Sequence, residues 1–423
     1  MSRFRAEVDR WFACCSATVV RAEILDAVLV ETSLGRASLD LVETALDDMM
    51  LCVLVRIPLA DHDSTRAVCR SWNRALRSRA FENERREAGY REEIMIVSGG
   101  YGGQNCVHAE NAAFRAAGGG GCVAAVALPT LPSAFSPGYD FPFEGVHYAC
   151  AASHRGDFYL LGGEAQGMPF DGARGPAMST VWHFNLESNR WSEEAPLPEP
   201  RQHAVCGIFP DLGRLVVAGG KVLVDFEPCE FCFCEPTATA YAKRLDGGGW
   251  EQISDPPFPI SGAVSGVIDG RLFVVGGVGG TGPPDEDGEY DAVTTIAVYD
   301  PRAEAWEVRT PQGHRCTEDR DCAAAVLGDG LYVVGRSAGE TTPIDIYDHR
   351  ANCWWPGPAV PSPTCYPFAL GVLNGCLVAV GAINRKCTSG SFILHEDGSW
   401  RPGPKPPAAH GTMPLAATAT VWT

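Results

Sequence analysis

From about residue 92 onward the chain writes one hydrophobic pattern about six times. The copy Arg271 to Gly277 reads Arg-Leu-Phe-Val-Val-Gly-Gly, and Phe158 to Gly163, Leu215 to Gly220 and Ile94 to Gly100 repeat it as a short apolar run closed by a glycine pair. Two further copies, Leu331 to Arg336 and Leu377 to Ala382, keep the run and one glycine. An apolar run of this length bounded by turn chemistry predicts a strand buried on both faces. The glycines mark where that strand ends against closely approaching backbone. The first glycines, Gly99, Gly162, Gly219, Gly276, Gly335 and Gly381, lie 46 to 63 residues apart, which is the spacing of a repeat architecture.

Each copy carries the same neighbours. Ahead of it stands a strand of small residues and a tight turn: Ala263 to Ile268 before Asp269-Gly270, Ala323 to Leu327 before Asp329-Gly330, and Phe368 to Leu373 before Asn374-Gly375. Such dipeptides between apolar runs predict hairpins. Behind it comes a strand ending in an aromatic, as in Ile296 to Asp300 and Ile344 to Asp348, and then a tryptophan that opens a fourth strand: Trp191, Trp250, Trp306, Trp354 and Trp400. Four strands per repeat make one blade of a propeller. The predicted fold is therefore mainly β, a six-bladed β-propeller over residues 91–423. Blade 1 starts directly at Ile94, while Met413 to Trp422 is a spare strand at the other end. The C-terminal strand is expected to close blade 1, so that no edge stays open. Glycine pair, spaced aromatic and tryptophan in register resemble the kelch repeat, and the resemblance covers residues from about 92 to the C-terminus.

Residues 1–40 carry a loose helical periodicity through Val8, Phe12, Val19, Ile24, Leu25 and Val28 without good caps, the pattern of a helical or partly ordered lead-in. Residues 41–90 predict a small helical module. One helix runs from the Thr44 region through Leu54 and stops at Pro58; a second runs from Asp63 or Ser64 through Leu76. So few short helices cannot bury their apolar faces alone, and they imply a partner. Ile57-Pro58-Leu59-Ala60-Asp61 followed by Arg66-Ala67-Val68-Cys69-Arg70-Ser71-Trp72 resembles the F-box. That resemblance implies docking on a Skp-family adaptor of a cullin–RING ubiquitin ligase. Its adaptor-binding residues would be Leu46, Met50, Leu54, Ile57, Pro58, Val68, Cys69 and Trp72. An F-box followed by kelch repeats is the order of a large plant family, whose targets include phenylpropanoid enzymes such as phenylalanine ammonia-lyase and regulators of hormone response.

Charge narrows the partners. Residues 1–90 are nearly balanced, so almost all of the formal net charge of −18 falls on residues 91–423. An acidic propeller is poorly suited to phosphate backbones, and nucleic acid is not expected as a partner. No stretch of 18 apolar residues predicts a membrane span, and the N-terminus has no secretory pattern, so a cytoplasmic or nuclear, reducing location is expected. The 17 cysteines are scattered and odd in number, and those in apolar strands, such as Cys150, Cys206, Cys322 and Cys376, read as small buried hydrophobes. Cys229, Cys232 and Cys234 offer three thiols but no second pair, so no metal and no cofactor are expected, and a redox-sensitive loop is the other reading of that stretch. No phosphate loop, nucleophile elbow or His-Glu metal motif is present, and the chain is not expected to be an enzyme.

Recognition is expected on the face that carries the long loops Glu164 to Thr180, Lys221 to Thr237 and Val278 to Thr294. At the mouths of the first strands stand His147, Tyr148, Arg201, His203, Arg320, Tyr366 and His410, the expected target-binding set. Arg201 and Arg320 hold equivalent blade positions and are expected to face a partner's acidic group. The expected function is that of a substrate-recognition subunit of a Skp–cullin–F-box ubiquitin ligase, with the propeller holding a protein target. The alternative is a kelch scaffold outside the ubiquitin system.

Overall fold

The structure is a computed structural model that describes residues 50–57, 62–76, 78–88, 93–99, 110–116, 123–129, 131–132, 145–166, 177–186, 188–223, 234–279, 290–313, 322–335, 341–361, 369–382, 389–404 and 417–422. Two compact units divide the chain, Met1–Glu92 with Thr423, and Glu93–Trp422.

In the first unit a helical turn at residues 50–54 is followed by helices His62–Arg66, Arg70–Ala75 and Arg79–Glu87. Leu54, Val55, Ile57, Trp72, Leu76 and Phe81 form its core. The second helix expected from the sequence is thus two, because Cys69 is extended (φ −159°, ψ 167°) and no side chain caps the start at Arg70. Arg79–Glu87 was not foreseen, because its nine residues are mostly charged. The Ser78 hydroxyl accepts from the Phe81 amide (3.2 Å) and starts it. One turn later Arg85 is buried and donates from Nη1 to the carbonyls of Val55 and Ile57, both at 2.7 Å, satisfying backbone where the first helix ends.

Among the described residues, the second unit holds six four-stranded antiparallel sheets, here sheets 1 to 6. Sheet 2 comprises Cys150–His154, Asp157–Leu161, Val181–Asn185 and Arg190–Glu194, and sheet 3 comprises Val205–Phe209, Arg214–Ala218, Ala240–Arg244 and Trp250–Gln252. Sheet 4 comprises Val264–Ile268, Arg271–Val275, Ile296–Asp300 and Ala305–Arg309. Sheet 5 comprises Ala323–Leu327, Gly330–Val334, Ile344–Asp348 and Cys353–Pro356; sheet 6 comprises Ala369–Leu373, Cys376–Ala382, Ser389–Leu394 and Trp400–Pro402. Sheet 1 differs in order: Val123–Ala127, Glu110–Ala116 and Glu93–Gly99 are completed by the C-terminal strand Ala417–Trp422, which pairs with Glu93–Ser98 as the sequence led one to expect. The first-named strand of each of sheets 2 to 6 packs against that of the next, and Ala417–Trp422 lies between those of sheets 6 and 2. The fold is mainly β, a kelch-type β-propeller.

The repeated apolar run explains the stacking. In Arg271–Val275, Leu272 and Val274 enter the core shared with sheet 3, while Phe273 and Val275 enter the core shared with sheet 5. A strand buried on both faces has to be apolar at every position, which is why the run does not alternate. Small residues let the innermost strands approach. A side chain at Gly207 would meet Leu272 and Val267 at 2.8 Å, and one at Gly371 would strike Met95. The glycine pairs then join neighbouring sheets. Gly276 and Gly277 take φ of 70° and 78°, and a Cβ on Gly277 would lie 2.5 Å from the Ser261 carbonyl. In the equivalent pair the Gly220 amide donates to the Ile260 carbonyl (2.8 Å), just ahead of sheet 4. Where the second glycine is Ala382, no such exit occurs, and the strand continues to Ala382 paired with Ser389.

Tryptophans repeat the join at the rim. The indole Nε1 groups of Trp191, Trp250, Trp306 and Trp400 donate to the carbonyls of Pro129, Ala195, Ser254 and Pro358 at 2.8–2.9 Å, each acceptor lying 42 to 62 residues earlier. At the ring closure the Ser153 hydroxyl donates to the Thr420 carbonyl (2.6 Å), and the Thr420 hydroxyl donates to Val372. The hairpin turns Asp269-Gly270 and Asn374-Gly375 have φ of 49° and 70°, and 48° and 71°. The expected turn Asp329-Gly330 is corrected by one residue. Leu327 pairs with Gly330, so Gly328-Asp329 turn and Gly330 opens the strand, because Gly328 already supplies the left-handed φ of 60°.

Sheets 4 and 5 are also clamped by a side-chain hydrogen bond. His349 is buried, with Nε2 at 2.9 Å from the Asp269 carboxylate and Nδ1 at 2.9 Å from the Asp329 carbonyl. The hydrogen bond to His349 holds the Asp269 carboxyl below its ordinary range. A depressed folded-state value means that the contribution is present above the unfolded value of roughly 3.9 and disappears as pH falls through the folded value. Urea unfolding of the Asp269→Asn variant is expected to show lower stability than wild type at pH 6 and the same stability near pH 2. A difference that persists unchanged at pH 2 would contradict this clamp.

Candidate functional site

The face on which the innermost strands of sheets 2 to 4 begin is built by a repeated left-handed residue. Tyr148, His203 and Gly262 stand two residues ahead of those strands, with φ of 54°, 57° and 67°. The His203 amide donates to the Tyr148 carbonyl (2.8 Å) and the Gly262 amide donates to the His203 carbonyl (3.0 Å), a chain of backbone bonds running from sheet to sheet. A bulky side chain at positive φ costs on the order of 1–2 kcal/mol. The sheet-to-sheet bonds hold Tyr148 and His203 there, and their half-buried rings stack at 4.0 Å between centroids. Short ribbons flank them: Gly145–His147 with Glu164–Gln166, Lys221–Leu223 with Cys234–Pro236, and Ile260–Ser261 with Val278–Gly279.

Arg201 departs from expectation. Its side chain is 0% exposed. Nη1 donates to the carbonyls of Gly219 (2.9 Å) and Thr239 (3.2 Å), Nη2 donates to Glu199 (3.1 Å) and the Thr239 hydroxyl (3.1 Å), and the guanidinium lies 5.0 Å from the Tyr241 ring centre. Burial pulls its pKa down, and Glu199 opposes the shift. The expectation that Arg201 faces a partner is therefore corrected: the side chain is buried, and its Nη groups are spent on carbonyls and side chains beside sheet 3. Of the other expected target contacts, His147 ends the strand Gly145–His147 beside Tyr148, while Arg320, Tyr366 and His410 lie outside the described residues.

Sequence reasoning missed the buried polar residues Glu164, Gln202 and Ser261 beside this rim. Their signal was positional, since each neighbours a glycine pair or a left-handed residue. Tyr290, near the rim acids Glu235 and Asp291, has its hydroxyl pKa raised by burial and by Glu235. The described rim thus presents stacked aromatics beside carboxylates. Such a surface suits contact with a polypeptide. Among the described residues no group of three or more His, Cys, Asp or Glu is placed to hold a metal ion.

In the helical unit, Leu54, Ile57 and Trp72 of the expected adaptor-binding set are buried in the unit's own core, and Met50, Val68 and Cys69 are partly buried against it. Leu46 and Pro58 lie outside the described residues. No helix in the described residues is long and apolar enough to cross a membrane.

Sheets, glycine exits and indole staples together define a kelch-repeat propeller. The kelch motif matches residues 146–198 and 259–311, which are sheets 2 and 4 with their lead-in residues. The chain is 27% identical over 243 residues to Kelch-like protein 35 of Mus musculus (56% of this chain, 33% of that protein) and 24% identical over 223 residues to Beta-scruin of Limulus polyphemus (50% and 22%). It spans a third or less of the length of these two relatives. An F-box/kelch-repeat protein of Arabidopsis thaliana is 23% identical over 344 residues, covering 79% of this chain and 75% of that protein.

Proposed function

We propose that this chain is the target-binding, non-catalytic subunit of a Skp–cullin–F-box ubiquitin ligase. In this reading the helical unit is an F-box that docks a Skp-family adaptor, and the six sheets act as one six-bladed ring whose rim holds the protein target. The observation that carries it is the order of the chain: a small helical unit with its own core precedes a kelch propeller. The Arabidopsis thaliana relative, whose printed name joins the same two modules, supports it. Catalysis belongs to other subunits, and this chain raises the effective concentration of target beside them. It would act in the cytoplasm or nucleus, without a cofactor. The first targets to assay are those that the sequence resemblance implies, a phenylpropanoid enzyme such as phenylalanine ammonia-lyase or a hormone-response regulator.

A kelch scaffold outside the ubiquitin system is the second reading, and it is favoured by relatives whose names carry kelch without F-box. Degradation kinetics separate the two. Overexpression of the full chain is expected to shorten the half-life of propeller-bound proteins, and overexpression of residues 93–423 is expected to lengthen it. Equal half-lives with both, and with proteasome inhibited, would favour the scaffold.

A further inference from the structure

The Tyr148 and His203 rings, one from the lead-in of sheet 2 and one from that of sheet 3, stack at 4.0 Å with their planes 29° apart, and both residues are half-buried. Their left-handed backbone, and the bonds from the His203 amide to Tyr148 and from the Gly262 amide to His203, set that pair before any partner arrives. A pre-set ring pair loses little freedom on binding. Carboxylates belong to the elements on every side of it. Glu164 is the register partner of His147, the residue next to Tyr148. Glu235 lies in the ribbon whose other strand bridges through Lys221 to Gln202, the residue next to His203. The Asp291 carbonyl accepts from the Gly279 amide (3.0 Å), and Gly279 pairs with Ile260, two residues ahead of Gly262. Glu235 and Asp291 are exposed, and Tyr290, next to Asp291, stands within electrostatic reach of Glu235. Cations are scarcer. Arg201 is buried and turned to Gly219, Thr239 and Glu199, and among the described residues of the three ribbons Lys221 is the one Lys or Arg.

We propose that the rim receives an arginine-bearing segment of the target protein, with the guanidinium stacked on the Tyr148–His203 pair and its charge met by the carboxylates of the flanking ribbons. This deepens the target-binding reading of the rim and rests on it. The polarity is the reverse of the one expected from Arg201, because burial takes that cation out of contact while Glu235 and Asp291 stay exposed. Arginine fits better than lysine. A guanidinium is planar, stacks on aromatic faces and donates in a fork that matches a carboxylate, whereas an ammonium is a strongly hydrated point charge. An acidic segment would meet like charge on the ribbons, which selects against it. Nearly all of the formal net charge of −18 falls on residues 91–423, so a basic segment is also drawn in at longer range.

The test titrates three synthetic peptides of equal length into the full chain at low salt: alternating Gly-Arg, alternating Gly-Lys and alternating Gly-Glu. The arginine peptide is expected to bind tightest and the lysine peptide roughly tenfold more weakly, since the charge is kept and the stacking lost; the glutamate peptide is expected not to bind. Asparagine tolerates a left-handed backbone, so the Tyr148→Asn, His203→Asn double variant removes both rings at little cost to the fold. In that variant the arginine peptide is expected to fall to the affinity of the lysine peptide. Equal binding of the arginine and lysine peptides by wild type would overturn the proposal, as would a preference for the glutamate peptide. So would an arginine preference that survives in a double variant with the circular dichroism of wild type. The wild-type comparison stands even if the variant fails to fold. A Skp-family adaptor titrated into the same preparations reads the ligase assignment separately. Adaptor binding without an arginine preference overturns this inference alone, and an arginine preference without adaptor binding supports it while overturning the ligase assignment.

Discussion

Removing residues 417–423 is expected to leave a chain that no longer gives a soluble, monomeric propeller. Six consecutive residues, Glu93 to Ser98, find their strand partners in Trp422 to Ala417. At a net 0.5–1.5 kcal/mol per bond, losing about six hydrogen bonds costs roughly 3–9 kcal/mol, comparable to the whole stability of a typical domain. The damage extends further, because Ala417–Trp422 also separates the innermost strands of sheets 2 and 6 and binds Ser153 and Val372. Its loss bares the edge of Glu93–Gly99, and an unpaired edge of that kind invites association with other chains. Size-exclusion chromatography and limited proteolysis of a chain ending at residue 416 are expected to show aggregate and rapid cleavage. A synthetic peptide of residues 412–423 added during refolding is expected to restore part of the monomer. A truncated chain that stays monomeric with unchanged Tm would contradict closure by the C-terminus.

Replacing Arg201 by methionine is expected to destabilise the propeller by roughly 1–3 kcal/mol for the buried Gly219 carbonyl left without its charged donor, plus smaller losses at the other acceptors, because the paired Glu199 carboxylate is 43% exposed and solvent-screened. Four acceptors each lose an arginine hydrogen bond at once: the carbonyls of Gly219 and Thr239, the Glu199 carboxylate and the Thr239 hydroxyl, although the Thr239 carbonyl keeps the Gly219 amide and Glu199 keeps the Thr239 hydroxyl. Arg201→Lys is expected to recover little of this, because an ammonium cannot reproduce the planar fork. The measurement is chemical denaturation of the two variants beside wild type. A variant as stable as wild type but deficient in target capture would return Arg201 to the exposed role that the sequence suggested.

That misplacement shows what a linear pattern hides. The glycine pairs and tryptophans were legible because each encodes a local demand: a left-handed exit at Gly276-Gly277, and an indole donor at Trp306 that must reach Ser254. The spare terminal strand was legible for the same reason, since blade 1 began one strand short. Arg201 was not, because its acceptors belong to the next sheet and are 18 and 38 residues away in sequence. An arginine ahead of a strand looks like a surface cation until those carbonyls are placed around it. Tyr148 and His203 were read as side chains at a mouth, but their backbone role was invisible, since only at Gly262 does the residue type betray the left-handed φ. Helix Arg79–Glu87 was hidden by its charge, because its inward face is Phe81 and the buried Arg85 rather than an apolar stripe.

The helical unit decides between ligase subunit and scaffold. Isothermal titration of a purified Skp-family adaptor into the full chain and into residues 93–423, under identical buffer, measures that directly. The account predicts saturable one-to-one binding by the full chain and none by residues 93–423. Absence of binding by a full chain whose helical unit is folded by circular dichroism would contradict it, and so would equal binding by the two.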